Sequence, residues 1–214
     1  MANLLNQEVA GQIKAHLEQM VHDVTMVLFT QEDASNCVYC TETQQLLSEV
    51  EALSDKLSLE TRDLSSDEAQ LYGVTMTPSF VMLNHEGEFT GVTFNGIPAG
   101  HEINSFLAGI LGMSGADHGF DDVTLERIKN IKKPVDIKVF VTTSCPHCPG
   151  AVAKAHQLSM LNENIKGSMI EANSFQELSR KYNVSGVPKI VINDSVELLG
   201  DQPLEEFLKR IEQL

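Results

Sequence analysis

The sequence predicts an α/β protein built from two tandem copies of one unit, each a mixed β-sheet flanked by helices and led by an extra N-terminal helix. Three observations carry this expectation. Tyr72-Gly73-Val74-Thr75-Met76-Thr77-Pro78-Ser79-Phe80-Val81 matches Tyr182-Asn183-Val184-Ser185-Gly186-Val187-Pro188-Lys189-Ile190-Val191, with Pro78 and Pro188 separated by 110 positions. The pairs Cys37/Cys40 and Cys145/Cys148 are separated by 108, and each follows a β-branched, aromatic run. At 214 residues the chain suits two domains of about 100 residues each.

The elements follow in order. Leu5, Val9, Ile13, Leu17 and Val21 recur at helical spacing, with Glu8, Lys14, His16 and Glu18 between them, and predict an amphipathic helix over 4–21. A strand at 24–30 leads to Cys37-Val38-Tyr39-Cys40 and to a helix with Leu46, Leu47, Val50 and Leu53 facing inward. A strand near 56–63 follows, and Ser65 with Glu68 reads as a capping box opening a short helix that ends at Tyr72. After Thr77-Pro78, strands at 79–84 and 88–95 flank the turn His85-Glu86-Gly87, and a helix covers 101–111.

The second unit repeats the pattern: a helix at 122–132, a short apolar strand over 135–142, Cys145-Pro146-His147-Cys148, and a helix to about Asn162. Next come a strand at 165–171, a capping box at Ser174 and Glu177 opening a helix to Lys181, and strands at 189–193 and 196–199. Pro203 opens a last helix with Leu204, Phe207, Leu208 and Ile211 on one face. Strand-helix-strand units demand parallel crossovers and the closing hairpins demand antiparallel pairing, so each sheet is mixed. The glycine-rich stretch 112–119 lacks periodicity and marks the junction, which gives units 1–113 and 118–214.

A formal charge of −15 with no basic cluster excludes nucleic acid and anionic membrane as partners, because phosphates must be met by Lys and Arg. No run approaches the roughly 18 apolar residues of a membrane span, and the first 21 residues lack the unbroken apolar core of a signal peptide. The sequence therefore predicts a soluble, cytoplasmic protein. In that setting four cysteines in two pairs, with none left over, point to catalysis or metal binding rather than structural cross-links.

The second pair is the more informative. Pro146 fits the first helical position, which would put Cys145 at a helix N-terminus, where unpaired N–H groups and the helix dipole favour the thiolate. Cys148 lies one turn on, within reach of a disulfide. A low-pKa thiol beside a resolving thiol is the apparatus of thiol–disulfide exchange. Pro146 and His147 tune it: an imidazole in the first turn stabilises the reduced thiolate form, which makes the couple more oxidising. Cys145/Cys148 is thus expected at a higher potential than Cys37/Cys40, with Val38-Tyr39 between its cysteines. The competing reading joins all four cysteines in one zinc site. Another keeps only the second pair active, since the loop 31–36 is longer in the first unit and its helix start lacks proline. His16, His22, His85, His101, His118 and His156 show no ligand spacing.

A strand, a Cys-x-x-Cys at the next helix start and a proline about 40 residues later before a hairpin resemble the thioredoxin fold. Two such units, with Val139 to Cys145, Val187 to Asn193 and Gly96-Ile97-Pro98-Ala99-Gly100, resemble the tandem, glutaredoxin-like protein disulfide oxidoreductase family. The resemblance implies that Pro78 and Pro188 are cis and that Thr77 and Val187 turn their backbone toward an extended substrate strand. It implies Cys145, Cys148, Cys37 and Cys40 as catalytic residues, no bound cofactor or metal, and reducing equivalents from NADPH through a separate thioredoxin-reductase-like flavoprotein. Substrates would be protein disulfides or dithiols. The alternative it carries is an electron-transfer module between such a flavoprotein and a peroxiredoxin. Single-domain thioredoxins hold a buried Asp six positions before the first active Cys; Val139 stands there, and Glu32 and Asp33 of the first unit fall in a loop. The proton acceptor for Cys148 is therefore unassigned by sequence.

Overall fold

The computed structural model describes residues 3–31 and 37–214; the expected loop position of Glu32 and Asp33 lies outside the described residues. The first unit contains α1 (Gln7–Leu17), β1 (Val24–Thr30), α2 (Cys40–Glu51), β2 (Leu57–Asp63), α3 (Asp67–Tyr72), β3 (Ser79–Leu83), β4 (Phe89–Asn95) and α4 (Ile103–Met113). The second contains α5 (Asp122–Lys129), β5 (Val135–Val141), α6 (Cys148–Leu161), β6 (Ile165–Glu171), α7 (Gln176–Lys181), β7 (Lys189–Ile192), β8 (Val196–Leu199) and α8 (Leu204–Glu212).

Local polar chemistry moves several boundaries from their expected places. Ser65 is engaged through its N–H and hydroxyl by Asp63 Oδ1, so Ser66 caps α3 instead, accepting from Ala69 N at 3.3 Å. Ser174 likewise gives its N–H and hydroxyl to Glu171 Oε2, at 2.7 and 2.6 Å, and α7 starts from Phe175 without a side-chain cap. Neither expected capping box forms. α5 ends three residues early, at Lys129, where Asn162 Nδ2 from the end of α6 donates to the carbonyls of Ile128 and, just beyond the helix, Ile131.

Among the described residues the strands make one sheet, in the order β2-β1-β3-β4-β6-β5-β7-β8. Two four-stranded mixed halves are fused where β4 pairs with β6 in parallel, Val92 opposite Gly167 and Asn95 opposite Ile170. Gly167 lets α6 lie directly on this seam, since a Cβ there would stand 2.5 Å from Ala155 O. Alternation along each central strand feeds both faces: Met26 and Leu28 point to one side of β1, Val27 and Phe29 to the other.

On the first face a single core runs through both units. Phe80 and Phe94 stack at 4.8 Å, Phe106 of α4 packs edge-on, and His156 of α6 lies 4.6 Å from Phe94. On the second face two smaller cores sit under α3 and α7, around Phe29 and Phe140.

Strand direction places the sites. β1 and β4 are each antiparallel to β3, so they run the same way; β4, β6 and β5 are mutually parallel. β1 and β5 therefore point in one direction, and the chain leaves both of them toward a Cys pair at the same edge of the same sheet. Among the described residues no helix is long and apolar enough to cross a membrane.

Candidate active site

Cys145 and Cys148 form a disulfide with Cα atoms 5.5 Å apart, just past the end of β5. The helix begins at Cys148, not at Pro146, and it is Pro149 that occupies the first helical turn. Pro146 and His147 instead make the exposed turn that delivers the chain into α6. The Cys145 sulfur, bonded to that of the first helical residue, still sits at the N-terminal end of the helix. Cys145 keeps 8% of its surface and Cys148 none, so an incoming sulfur meets Cys145 first.

The first unit repeats the geometry. Cys37 and Cys40 form a disulfide with Cα atoms 5.4 Å apart, and α2 begins at Cys40. Val38 between them is 73% exposed. Here Cys37 keeps 4% and Cys40 8%, so exposure does not single out one sulfur.

Thr77–Pro78 and Val187–Pro188 are both cis peptide bonds. Each stands at the start of the strand antiparallel to the one that carries its Cys pair, with Ser79 opposite Phe29 and Lys189 opposite Phe140. Each proline is buried and accepts an equivalent hydrogen bond, Pro78 O from Gly96 N and Pro188 O from Gly200 N, both at 2.8 Å. Thr77 and Val187 are half-buried beside them.

β1 and β5 are four strand steps apart in the sheet, about 19 Å at the usual spacing of about 4.8 Å. One zinc ion, with Zn–S bonds of about 2.3 Å, cannot be held by both pairs. The single-zinc reading fails on this geometry, and among the described residues no His/Cys/Asp/Glu cluster is arranged for a metal.

The segment 95–102, of which the sequence marked only 96–100 and to which it gave no structural role, runs along the active edge from one unit to the other. Asn95, buried, accepts from Ser79 Oγ at 2.8 Å and donates to Met169 O at 3.0 Å, linking β3 to β6. Gly96 (φ +98°) presses on Glu171, and a Cβ at Gly100 (φ +61°) would stand 2.3 Å from Thr143 O. His101 N donates to the same oxygen at 2.8 Å.

Glu102 then turns inward. It has no exposed surface, accepts from Ser105 Oγ at 2.5 Å through Oε2, and leaves Oε1 without a hydrogen-bond partner. Burial pushes its carboxyl up to about 7, and the Ser105 hydroxyl only partly offsets this. Its turn packs against α6, the helix that Cys148 opens. The one sequence signal for this segment was Gly96-Ile97-Pro98-Ala99-Gly100; nothing local marked the glutamate as buried.

Two tandem units, each with a Cys-x-x-Cys disulfide at a helix start and a cis-proline on the neighbouring strand, define a thioredoxin-fold thiol–disulfide oxidoreductase. Comparison with known proteins agrees. The thioredoxin-domain family model matches residues 135–213, the second unit. The F component of alkyl hydroperoxide reductase from Staphylococcus aureus is 32% identical over 208 residues, which is 97% of this chain and 38% of that protein. The chain thus spans well under half the length of the curated relatives it matches.

Among solved structures, the NTD_N/C domain of alkylhydroperoxide reductase AhpF from Enterococcus faecalis superposes with a TM-score of 0.90 at 25% identity, covering 97% of this chain and 99% of that one. A protein disulfide oxidoreductase from Aeropyrum pernix superposes with a TM-score of 0.87 at 28% identity, covering 98% and 94%.

Proposed function

We propose that this chain is a two-site protein disulfide oxidoreductase of the cytoplasm, with units 1–113 and 118–214 each working through its own cysteines. Cys145 is the attacking thiolate. It bonds to one sulfur of a substrate disulfide; that S–S bond breaks and the other substrate sulfur leaves as a thiolate that takes up a proton. Cys148 then loses its proton and, as the thiolate, attacks the Cys145 sulfur of the mixed disulfide. The Cys145–Cys148 disulfide forms, the second substrate thiolate departs, and two electrons have passed to the substrate. Run backwards, the same steps oxidise a substrate dithiol. Cys37 and Cys40 perform the equivalent exchange. Pro146 and His147 tune the second couple, and the backbone at Thr77-Pro78 and Val187-Pro188 receives the substrate as an added strand.

The observation that carries the reading is the repetition of the whole constellation, disulfide, helix start and proline loop, at both ends of one sheet edge. The test is turnover of insulin and of scrambled ribonuclease with dithiothreitol as reductant. Activity should be lost when all four cysteines are changed to Ser and retained in part when either pair alone is changed.

The likeness to the AhpF proteins favours a second reading, in which the chain passes electrons from a thioredoxin-reductase-like flavoprotein, drawing on NADPH, to a peroxiredoxin. Peroxide turnover in a reconstituted chain, without insulin reduction, would select it.

A further inference from the structure

Between the two Cys pairs the active edge is formed by the start of β3 and the ends of β4 and β6. Where the chain leaves β6 toward α7, it forms a corner that faces both ways. Asn173 and Gln176 line a groove of about 880 Å³ whose far wall is Val38 and Tyr39, between the first cysteines, with Thr75 and Met76 ahead of cis-Pro78. The same two residues line a second groove, of about 470 Å³, that ends at Thr142 and at Val187 ahead of cis-Pro188. Among the described residues no other lines both of these grooves.

The corner is held in place. The Glu171 carboxylate accepts from Asn173 Nδ2 at 3.0 Å and from the Ser174 N–H and hydroxyl, and Gly96 closes on it from the first unit. Asn173 and Gln176 are exposed, and a carboxamide offers both a donor and an acceptor, the complement of an extended main chain. The roughly 19 Å between β1 and β5 is covered by about six residues of extended chain at about 3.3 Å each.

We infer that Asn173 and Gln176 form one docking ridge serving both Cys pairs: an extended segment of a protein disulfide substrate, bound at either pair, lies along the ridge. This rests on the oxidoreductase reading above. It makes the two residues specificity determinants, and it means that a polypeptide at one pair excludes a second polypeptide from the other.

The test is insulin reduction by dithiothreitol in two parent proteins, one carrying Cys145→Ser with Cys148→Ser and one carrying Cys37→Ser with Cys40→Ser, each with and without Gln176→Trp. The ridge predicts that KM for insulin rises roughly fivefold in both parents with kcat held, a loss of about 1 kcal/mol of binding. Gln176→Ala, which removes only the carboxamide, should raise KM in both by less, and it carries the test if the tryptophan lowers the melting temperature. A rise confined to one parent, or seen in neither, overturns the ridge. Failure of one parent to reduce insulin at all also overturns it. Failure of both is read from the parents alone and removes the oxidoreductase reading along with it.

Discussion

A carboxyl group that is shut from water and only half bonded is costly to ionise, and Glu102 shows the cost with a defined sign. Its folded pKa of about 7 stands above the ordinary 4.5, so between these values the native state holds a proton that the unfolded chain has lost. Stability therefore falls as pH rises through that window, by up to about 3 kcal/mol at about 1.4 kcal/mol per unit. Glu102→Gln should match the parent at pH 4 and exceed it by about 2–3 kcal/mol at pH 8; urea unfolding at both pH values checks this, and a gap independent of pH would contradict it.

In the proposed exchange His147 bears on the chemistry of the second pair. Replacing it with Tyr removes the imidazole from the turn between the two cysteines and should lower the potential of the second pair by about 30 mV, a tenfold change in the exchange equilibrium. The cysteines and prolines of both sites were legible because each motif is local and repeated. Glu102 was not, since what buries it arrives from the other unit, and the serine caps failed where Asp63 and Glu171, both earlier in the chain, won the same donors.

The elements were legible by periodicity, with errors of a few residues at ends such as that of α5, where a side chain from another helix supplies the boundary. The β4–β6 seam was not. β4 alternates like any half-buried strand, and nothing in it announces that its free edge meets a strand more than 70 residues away, as in the Asn95–Ile170 pairing. The two sheets expected from sequence are for that reason one.

The glycines that let the seam close are testable. Gly100 has a positive φ, and its missing Cβ would meet backbone at 2.3 Å, so no side-chain rotation relieves a substitution. Gly100→Ala should cost about 2–4 kcal/mol and lower the melting temperature by roughly 4–16 °C for a chain of this size. It should also impair Cys145/Cys148 more than Cys37/Cys40, because Thr143 is the residue displaced. Equal effects on the two pairs in the single-pair parents would argue against it.

Over the whole molecule, parallel β1, β4, β6 and β5 put the two Cys pairs on one edge, on strands about four strand spacings, roughly 19 Å, apart. If both pairs exchange electrons, that separation requires a substrate or a second molecule to carry them from one to the other. With Cys40 and Cys148 changed to Ser, mild oxidation of dilute protein should yield no Cys37–Cys145 bond within one chain; a cross-linked monomer on intact mass analysis would show that the edge is not rigid. The tandem plan was readable from the offset repeat, while the common edge required strand directions that no single stretch of sequence encodes. Whether both pairs are working redox centres is decided by equilibrating the protein across glutathione buffers, alkylating the free thiols and weighing the peptides that carry each pair. Both pairs should interconvert reversibly, Cys145/Cys148 at the higher potential. A pair that stays locked as disulfide or as dithiol across the whole range is not a working redox centre.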